Sequence, residues 1–214
     1  MIRYVVFDFD GTIADSRKLF IDTYNAIARR KNYRLIQEET LVELQKMSIP
    51  ERCRHLNVPL VKVPKMGYDF LKIYRNSILD VEVIPGIREL LSSLGASGYK
   101  LGIISSNNRE TIQEFLKRNQ IYNIEAIVCS SNILGKSRIL KRFLKEFQLH
   151  PDEMIYVGDE QRDILACQAV NLRIVAVTWG YDTYEALEKL HPDYLMTSPK
   201  AVSKLLGTLL SNQS

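Results

Sequence analysis

The sequence predicts an α/β protein, in which a parallel β-sheet is covered by helices on both faces and a helical domain is inserted after the first strand. Apolar runs of strand length recur five times, and amphipathic segments of helix length separate most of them. From residue 16 to residue 81 the apolar spacing is helical instead, without a convincing strand. A chain of 214 residues can hold one such core and a modest inserted domain.

The predicted strands are rich in Val, Ile or Tyr, and they cover residues 2–7, 101–105, 126–129, 154–157 and 174–178. The predicted helices between them cover residues 86–96, 109–119, 136–147 and 161–170. Alternation of continuous apolar strands with helices is typical of a parallel sheet buried on both faces. Ligands of such sheets bind at the carboxyl ends of the strands, so the polar residues that follow each strand are the candidate site residues.

The insertion is identified by its helical spacing, by its prolines and by its charge. Pro50, Pro59 and Pro64 punctuate it, and residues 83–86 return the chain to the sheet. It carries thirteen Lys and Arg against seven Asp and Glu, a net charge of +6, whereas the rest of the chain carries −2. We therefore expect a core formed by residues 1–15 and 82–214, with residues 16–81 as a basic helical domain suited to an anionic substrate.

Composition excludes several classes of protein. The net charge of +4 is too mild, and its basic residues too dispersed, for a nucleic-acid-binding protein. No apolar stretch approaches the roughly 20 residues of a membrane helix, and no signal peptide precedes the first strand. The three cysteines are far apart, which suits packing in the reducing cytosol, so a cytoplasmic location is expected. The three histidines are far apart in the sequence, which argues against a histidine metal site. Oligomeric state is left open.

The first motif is Asp8-Phe9-Asp10-Gly11-Thr12, which directly follows the apolar run at residues 4–7. In an extended backbone residues two apart point to the same face, so Asp8 and Asp10 can converge on one site. There one carboxylate can attack a substrate while the other moves a proton, and a metal ion can hold their charges together. The alternative is an ordinary turn at a strand end, where Asp and Gly are common.

Two further polar clusters open predicted helices. Ser105-Ser106-Asn107-Asn108 follows the second strand, where Ser105 and exposed backbone N–H groups can hold a phosphate, although a helix N-cap is the alternative. Leu134-Gly135-Lys136-Ser137 suggests a P-loop, but position 130 holds Ser instead of the Gly that this motif requires. Lys136 stays a candidate phosphate ligand, with a solvated surface lysine as the alternative.

The fourth signal is Gly158-Asp159, followed by Asp163 four residues later. This spacing would put both carboxylates on one side of the opening helix turn. Magnesium prefers hard oxygen ligands and takes one or two carboxylates together with waters and phosphate, and Asp159 with Asp8 meets that need. A capped helix with acids near its N-terminus is the alternative. Four such clusters at successive strand ends favour a shared site.

As a set, these four motifs resemble those of the haloacid dehalogenase (HAD) superfamily. The resemblance extends over nearly the whole chain, and the insertion is similar to the small α-helical cap of one subgroup, with a return at Val83–Gly86 like that of phosphoglycolate phosphatases. It implies a Rossmann-like catalytic core with an inserted cap domain. It also implies a Mg²⁺-dependent phosphatase that acts on a small phosphorylated metabolite through an aspartyl-phosphate intermediate.

The resemblance also implies a role for each motif residue. Asp8 would be the nucleophile, and Asp10 the general acid and then the base. Ser105, Ser106, Asn107 and Lys136 would hold the phosphoryl group. Asp8, Asp159 and the backbone carbonyl of Asp10 would bind Mg²⁺. Thr12 and Asp163 would support these ligands.

Several alternatives stay open at this point. Asp10 argues against a dehalogenase, and no cap lysine suited to a phosphonatase Schiff base is identified. A sugar phosphomutase is the main enzymatic rival, although Lys46-Met47-Ser48-Ile49 lacks the Arg of the basic cap turn in those relatives. A signalling receiver domain would lack the helical insertion. A noncatalytic module that binds phosphate or Mg²⁺ would usually have lost a motif residue.

Overall fold

A computed structural model of the chain describes residues 1–130 and 135–211. The strands in this part are β1 (Tyr4–Phe7), β2 (Lys100–Ser105), β3 (Ile124–Cys129), β4 (Met154–Gly158), β5 (Arg173–Val177) and β6 (Tyr194–Met196). They form one sheet in the order β3-β2-β1-β4-β5-β6, and every neighbouring pair is parallel. The predicted parallel sheet is confirmed, and each of the five predicted strands is present with ends shifted by one or two residues.

The helices of the insertion are α1 (Arg17–Lys31), α2 (Glu38–Gln45), α3 (Ile49–His55) and α4 (Val63–Ser77). The helices around the sheet are α5 (Ile87–Ala96), α6 (Arg109–Arg118), α7 (Lys136–Glu146), α8 (Gln161–Gln168), α9 (Tyr184–Glu188) and α10 (Pro199–Ser211). No strand or helix is predicted beyond residue 178, so β6, α9 and α10 are additions to the predicted fold. No helix in the described part of the chain has both the length and the apolar character needed to cross a bilayer.

The sheet is buried on both faces because side chains alternate along each strand. On β1, Val5 and Phe7 belong to the apolar cluster that includes Leu90 of α5. Tyr4 and Val6 belong to the opposite cluster, where Tyr4 lies edge-on to the ring of Phe143 at 5.7 Å between centroids. All four β1 side chains are therefore taken out of water, which explains why the run is continuously apolar.

The insertion has an apolar core of its own, formed by Tyr24, Ala28, Ile36, Leu44, Cys53, Leu56 and Val58. Two of its helices begin where the sequence places a proline. Pro50 and Pro64 lie in the first turns of α3 and α4, where the missing N–H has no helical partner to lose. We keep the predicted division of the chain and call residues 16–81 the cap.

The strand order determines where a site can form. After β1 the chain builds β2 and β3 on one side of the sheet and then crosses to build β4, β5 and β6 on the other side. The order therefore reverses beside β1, and a crevice is expected at the carboxyl ends of β1 and its neighbours. Those ends carry Asp8, Ser105 and Asp159.

Candidate active site

Asp8 lies immediately after β1 and is 3% exposed. One of its carboxylate oxygens, Oδ1, accepts the backbone N–H of Phe9 at 2.8 Å. The other, Oδ2, accepts a hydrogen bond from the ammonium group of Lys136 at 2.6 Å. A buried carboxylate held at both oxygens has a fixed orientation, which a nucleophile requires.

Asp10 lies two residues further on and its Oδ1 accepts the phenolic hydroxyl of Tyr74, a cap residue on α4, at 2.6 Å. Burial raises the pKa of Asp10 to about 7, and repulsion by Asp8 adds to the rise while the Tyr74 hydrogen bond opposes it. A carboxyl that titrates near neutral pH can both give and take a proton, as a general acid and base must.

Asp159 follows β4 and is fully buried. Its Oδ1 accepts the hydroxyl of Thr12 at 2.6 Å, and its Oδ2 accepts the backbone N–H of Tyr181 at 2.7 Å. Gly11 makes this close packing possible, because its φ of +78° suits glycine and a Cβ there would overlap both the Asp159 carboxylate and the Tyr181 ring. Asp159 lies on the turn before α8, whereas Asp163 lies within that helix. The two carboxylates therefore do not share a helix turn, contrary to the prediction from their spacing.

Lys136, the first residue of α7, lies between two carboxylates. Its side chain is only 11% exposed, and it forms ion pairs with Asp8 and with the fully buried Asp163. Burial alone would lower the pKa of Lys136, but the attraction of Asp163 and Asp8 outweighs burial and raises it. The alternative of a solvated surface lysine is therefore wrong, while Leu134 of the same sequence signal lies outside the described residues.

Three carboxylates in the described part of the chain are arranged as a metal site requires. One oxygen each from Asp8, Glu160 and Asp163 lies within 4.8 Å of the other two. Glu160 also pairs with Arg162, whose Nε donates to Glu160 Oε2 at 2.6 Å. Glu160 is the new member of this set, because the sequence motifs predict its neighbour Asp159 as the metal ligand instead.

The segment after β2 is rich in polar groups and follows the strand next to β1, and its Ser106 lines the same cavity as Asp10. The N-cap of α6 is Asn108, whose side chain accepts the Thr111 N–H at 2.9 Å, so capping does not occupy Ser105. Ser105 is buried and its Oγ accepts the Asn107 N–H at 3.0 Å. The side-chain nitrogen of Asn107 is buried and has no hydrogen-bond partner among the described residues. A donor left unpaired in this way is suited to a bound anion.

The charges around Asp8 fit a divalent cation and a phosphate. Two cationic side chains, Lys136 and Arg162, face five carboxylates, those of Asp8, Asp10, Asp159, Glu160 and Asp163. Burial raises the pKa of Asp159 well above its usual value, and repulsion by Glu160 and Asp8 adds to the rise. Hard oxygen donors in excess over cations are the set that Mg²⁺ prefers, so the residues present fit this ion.

One set of contacts between the cap and the core runs through the loop that follows β5. The guanidinium group of Arg17 donates to the backbone oxygen of Trp179 at 3.1 Å and also to that of Gly180. Arg52 forms an ion pair with Asp182, whose other oxygen accepts the Gln161 N–H at 2.7 Å at the start of α8. The cap is thus anchored close to the segment that carries Glu160 and Asp163.

A cavity of about 240 Å³ extends from the carboxylates into the cap. Its floor in the core includes Asp10, Ser106 and Glu160, and its cap walls are mostly apolar. Arg17 and Arg52 also line it. The cavity therefore joins Asp10 to the space where the rest of a substrate would lie.

The structure places Asp8, Asp10, Lys136, Asp159 and Asp163 close together, with Thr12 hydrogen-bonded to Asp159 and Ser106 on the same cavity as Asp10. Ser105 and Asn107 lie at the carboxyl end of the neighbouring strand β2. Four residues that the motifs do not contain are added to this set. Glu160 directly follows Asp159 at the end of β4. A second carboxylate directly after a strand end was the sequence signal that could have identified it. Tyr74, Tyr181 and Asp182 come from the cap and from the loop after β5. Nothing in their local sequence distinguishes them from packing residues, because tertiary packing alone brings them to the site.

Comparisons with known proteins agree with this fold. The model of the haloacid dehalogenase-like hydrolase family matches residues 5–177. A phosphoglycolate phosphatase from Synechococcus elongatus is 31% identical over 98% of this chain and 99% of its own. Pyrophosphatase PpaX from Oceanobacillus iheyensis is 24% identical over 96% of this chain and 97% of its own. A haloacid dehalogenase-like hydrolase from Streptococcus pneumoniae superposes with a TM-score of 0.80 at 22% identity, over 96% and 98% of the two chains.

The fold and the site define a HAD-like hydrolase, and the extent of the matches settles the family. The chain belongs to the haloacid dehalogenase-like hydrolase family. Two predictions are therefore confirmed: that the chain belongs to this family, and that it is an enzyme of the phosphoric monoester hydrolase class.

Proposed function

We propose that this protein is a Mg²⁺-dependent phosphatase that hydrolyses a small phosphomonoester through an aspartyl-phosphate on Asp8. The observation that carries the proposal is the environment of Asp8, a buried carboxylate fixed by Phe9 N–H and Lys136 beside a second carboxyl that titrates near pH 7. The names of the relatives, a phosphoglycolate phosphatase and a pyrophosphatase, support the reaction type.

The reaction follows from the roles of the two aspartates. A carboxylate oxygen of Asp8 attacks phosphorus while the bond to the leaving oxygen breaks, and protonated Asp10 gives its proton to that oxygen, so the alcohol departs. Water then attacks the phosphorus of the aspartyl-phosphate and passes a proton to Asp10. The phosphorus bond to Asp8 breaks, which restores both carboxyl groups and releases phosphate. Two displacements replace one difficult hydrolysis.

The transferring phosphoryl group requires donors for its charged oxygens. Ser105, Ser106, Asn107 and Lys136 are the proposed donors. Lys136 already lies at hydrogen-bond distance from Asp8, so an ammonium group is in place beside the attacking atom. Asn107 contributes the buried side-chain nitrogen that has no other partner in the described residues.

Mg²⁺ would supply charge neutralisation, which allows an anionic nucleophile to approach an anionic phosphate. The proposed ligands are Asp8, the backbone carbonyl of Asp10 and Asp159. Thr12 donates to Asp159 and orients it, as a supporting residue does. Asp163 and Glu160 are two further carboxylates close to Asp8.

The proposed substrate is a small phosphorylated metabolite, with phosphoglycolate and pyrophosphate as the first compounds to test. The basic cap, with Arg17 and Arg52 on the cavity wall, suits an anion. A sugar phosphomutase and a noncatalytic phosphate-binding module are the competing functions.

The test is Mg²⁺-dependent phosphate release from phosphoglycolate, pyrophosphate, hexose phosphates, nucleotides and p-nitrophenyl phosphate, with Asp8→Asn as the control. Release that requires both Mg²⁺ and Asp8 supports the hydrolase. Interconversion of sugar phosphate isomers without net release would instead identify a mutase. No turnover of any compound by folded protein that still binds Mg²⁺ would identify a binding module.

A further inference from the structure

We propose that Tyr74 is a positioning residue of the cap: its hydroxyl holds the Asp10 carboxyl in place, so the general acid is complete only when the cap is docked. This inference rests on the proposed function and extends it. Tyr74 lies on α4 of the cap, 64 residues away from Asp10 in the chain, and its hydroxyl donates to Asp10 Oδ1 at 2.6 Å. This is a direct hydrogen bond from the cap to a proposed acid–base residue.

The ring of Tyr74 is fixed by its neighbours. Tyr74 is 2% exposed, and its ring stacks on that of Phe70, one helix turn earlier, with 5.2 Å between centroids and 23° between planes. Phe70 in turn contacts Phe20 at 4.9 Å, and Phe20 contacts Tyr181 of the core at 5.3 Å. The four rings form a continuous aromatic row from the cap to the core, and Tyr74 stands at the end that reaches Asp10.

The same row is tied to the core by polar contacts. The hydroxyl groups of Tyr181 and Ser16 are 2.9 Å apart, and Ser16 stands where the chain enters the cap. Arg17 holds the backbone oxygens of Trp179 and Gly180, the residues just before Tyr181. These contacts exist only between a docked cap and the core. A cap that moves away must therefore also withdraw the Tyr74 hydroxyl from Asp10.

The Asp10 carboxyl depends on this contact because, in the described residues, it has fewer hydrogen-bond donors than the Asp8 carboxyl has. Each oxygen of Asp8 has its own donor, one from the backbone and one from Lys136. For the Asp10 carboxyl, the hydrogen bond from Tyr74 is the one that the structure shows in the described residues. A general acid acts only within hydrogen-bond reach of the leaving oxygen, so a carboxyl free to rotate away loses rate.

The experiment compares two kinds of ester in the Tyr74→Phe enzyme, which keeps the stacked ring and loses only the hydroxyl. Phosphoglycolate and glucose 6-phosphate have alkoxide leaving groups that need a proton, whereas the phenolate of p-nitrophenyl phosphate departs without one. The kcat/KM for whichever alkyl ester is turned over should fall about tenfold or more, while that for p-nitrophenyl phosphate should change less than about threefold. The matched control is Tyr99→Phe, which removes a buried hydroxyl remote from the site.

A double variant separates positioning from packing. Once Asp10 is replaced by Asn the hydroxyl has no acid to orient, so adding Tyr74→Phe to Asp10→Asn should lower kcat/KM by less than about twofold. Equal losses with both kinds of ester, no loss at all, or a full further loss in the double variant would overturn the role of Tyr74. Absence of phosphate release by the wild-type enzyme would instead overturn the proposed function, which the Tyr74→Phe comparison does not by itself test.

Discussion

Replacing Lys136 by Met should destabilise the metal-free protein, because this residue is the buried cation between Asp8 and Asp163. The Lys136 side chain is 11% exposed, and those of its two partners are 5% and 0% exposed. Methionine keeps much of the apolar stem and removes the charge, so two buried carboxylates lose the cation that pairs with both of them. Removal of one partner from a buried ion pair costs about 3–5 kcal/mol.

The free energy of unfolding at pH 8 in EDTA should therefore fall by about 3 kcal/mol, which corresponds to a decrease in Tm of roughly 6–12 °C for a chain of this length. Chemical denaturation followed by circular dichroism measures the change. The matched control is Lys141→Met, an exposed position on the same helix, which should change stability by less than about 0.5 kcal/mol.

The loss should also depend on pH in a defined direction. Burial raises the pKa of Asp163, and Lys136 opposes that rise. Without Lys136 the folded-state pKa rises further above the unfolded value, so the folded variant binds more protons than the unfolded chain. Its stability is then retained at low pH and lost as pH rises through the folded-state pKa. A variant as stable as the wild type at pH 8, or one that loses stability as pH falls from 8 to 6, would refute this account of the site.

Three further predictions follow from the same geometry. Chelation of Mg²⁺ should silence phosphate release and leave the fold intact by circular dichroism; undiminished release in excess EDTA would remove the metal from the account. Since burial raises the pKa of Asp10 to about 7, kcat/KM should fall above about pH 7 as the general acid loses its proton, and Asp10→Asn should abolish that limb of the profile. Gly11→Ala should destabilise the protein by about 2 kcal/mol or more, because φ is +78° and the new Cβ would overlap Asp159 and Tyr181; a change below about 0.5 kcal/mol in thermal denaturation would contradict this.

Much of the fold could be predicted because its strands are buried on both faces. Each of the first five strands contains a run of buried, mostly apolar residues, although Lys100, Glu125 and Arg173 interrupt this pattern near the strand starts. The apolar part of the pattern follows directly from burial. β6 does not show this pattern, because its three residues lie at the sheet edge and are each only half-buried. The five residues of α9 are too few to show a helical period. α10 does carry such a signal in Val202 and Leu206, so its apolar spacing could have identified this helix, although it was not predicted.

Some residues of the candidate site could likewise be predicted from the sequence, and others could not. Asp8, Ser105 and Asp159 could be predicted because parallel strands bring their carboxyl ends to one edge, whatever the details of packing. The contact between Tyr74 and Asp10 could not, since it depends on how the cap docks. The hydrogen bond between Thr12 and Asp159, and the grouping of Glu160 with Asp8 and Asp163, depend on individual side-chain conformations that residue spacing does not encode.

The central claim is that Asp8 carries the phosphoryl group during turnover. The most direct measurement mixes enzyme, Mg²⁺ and a substrate identified in the phosphate-release panel, quenches the reaction in acid within milliseconds and locates the modification by mass spectrometry. A phosphoryl adduct on the peptide that contains Asp8, absent from the Asp8→Asn variant, is the predicted result. Steady phosphate release without any adduct, or an adduct on another residue, would contradict the account.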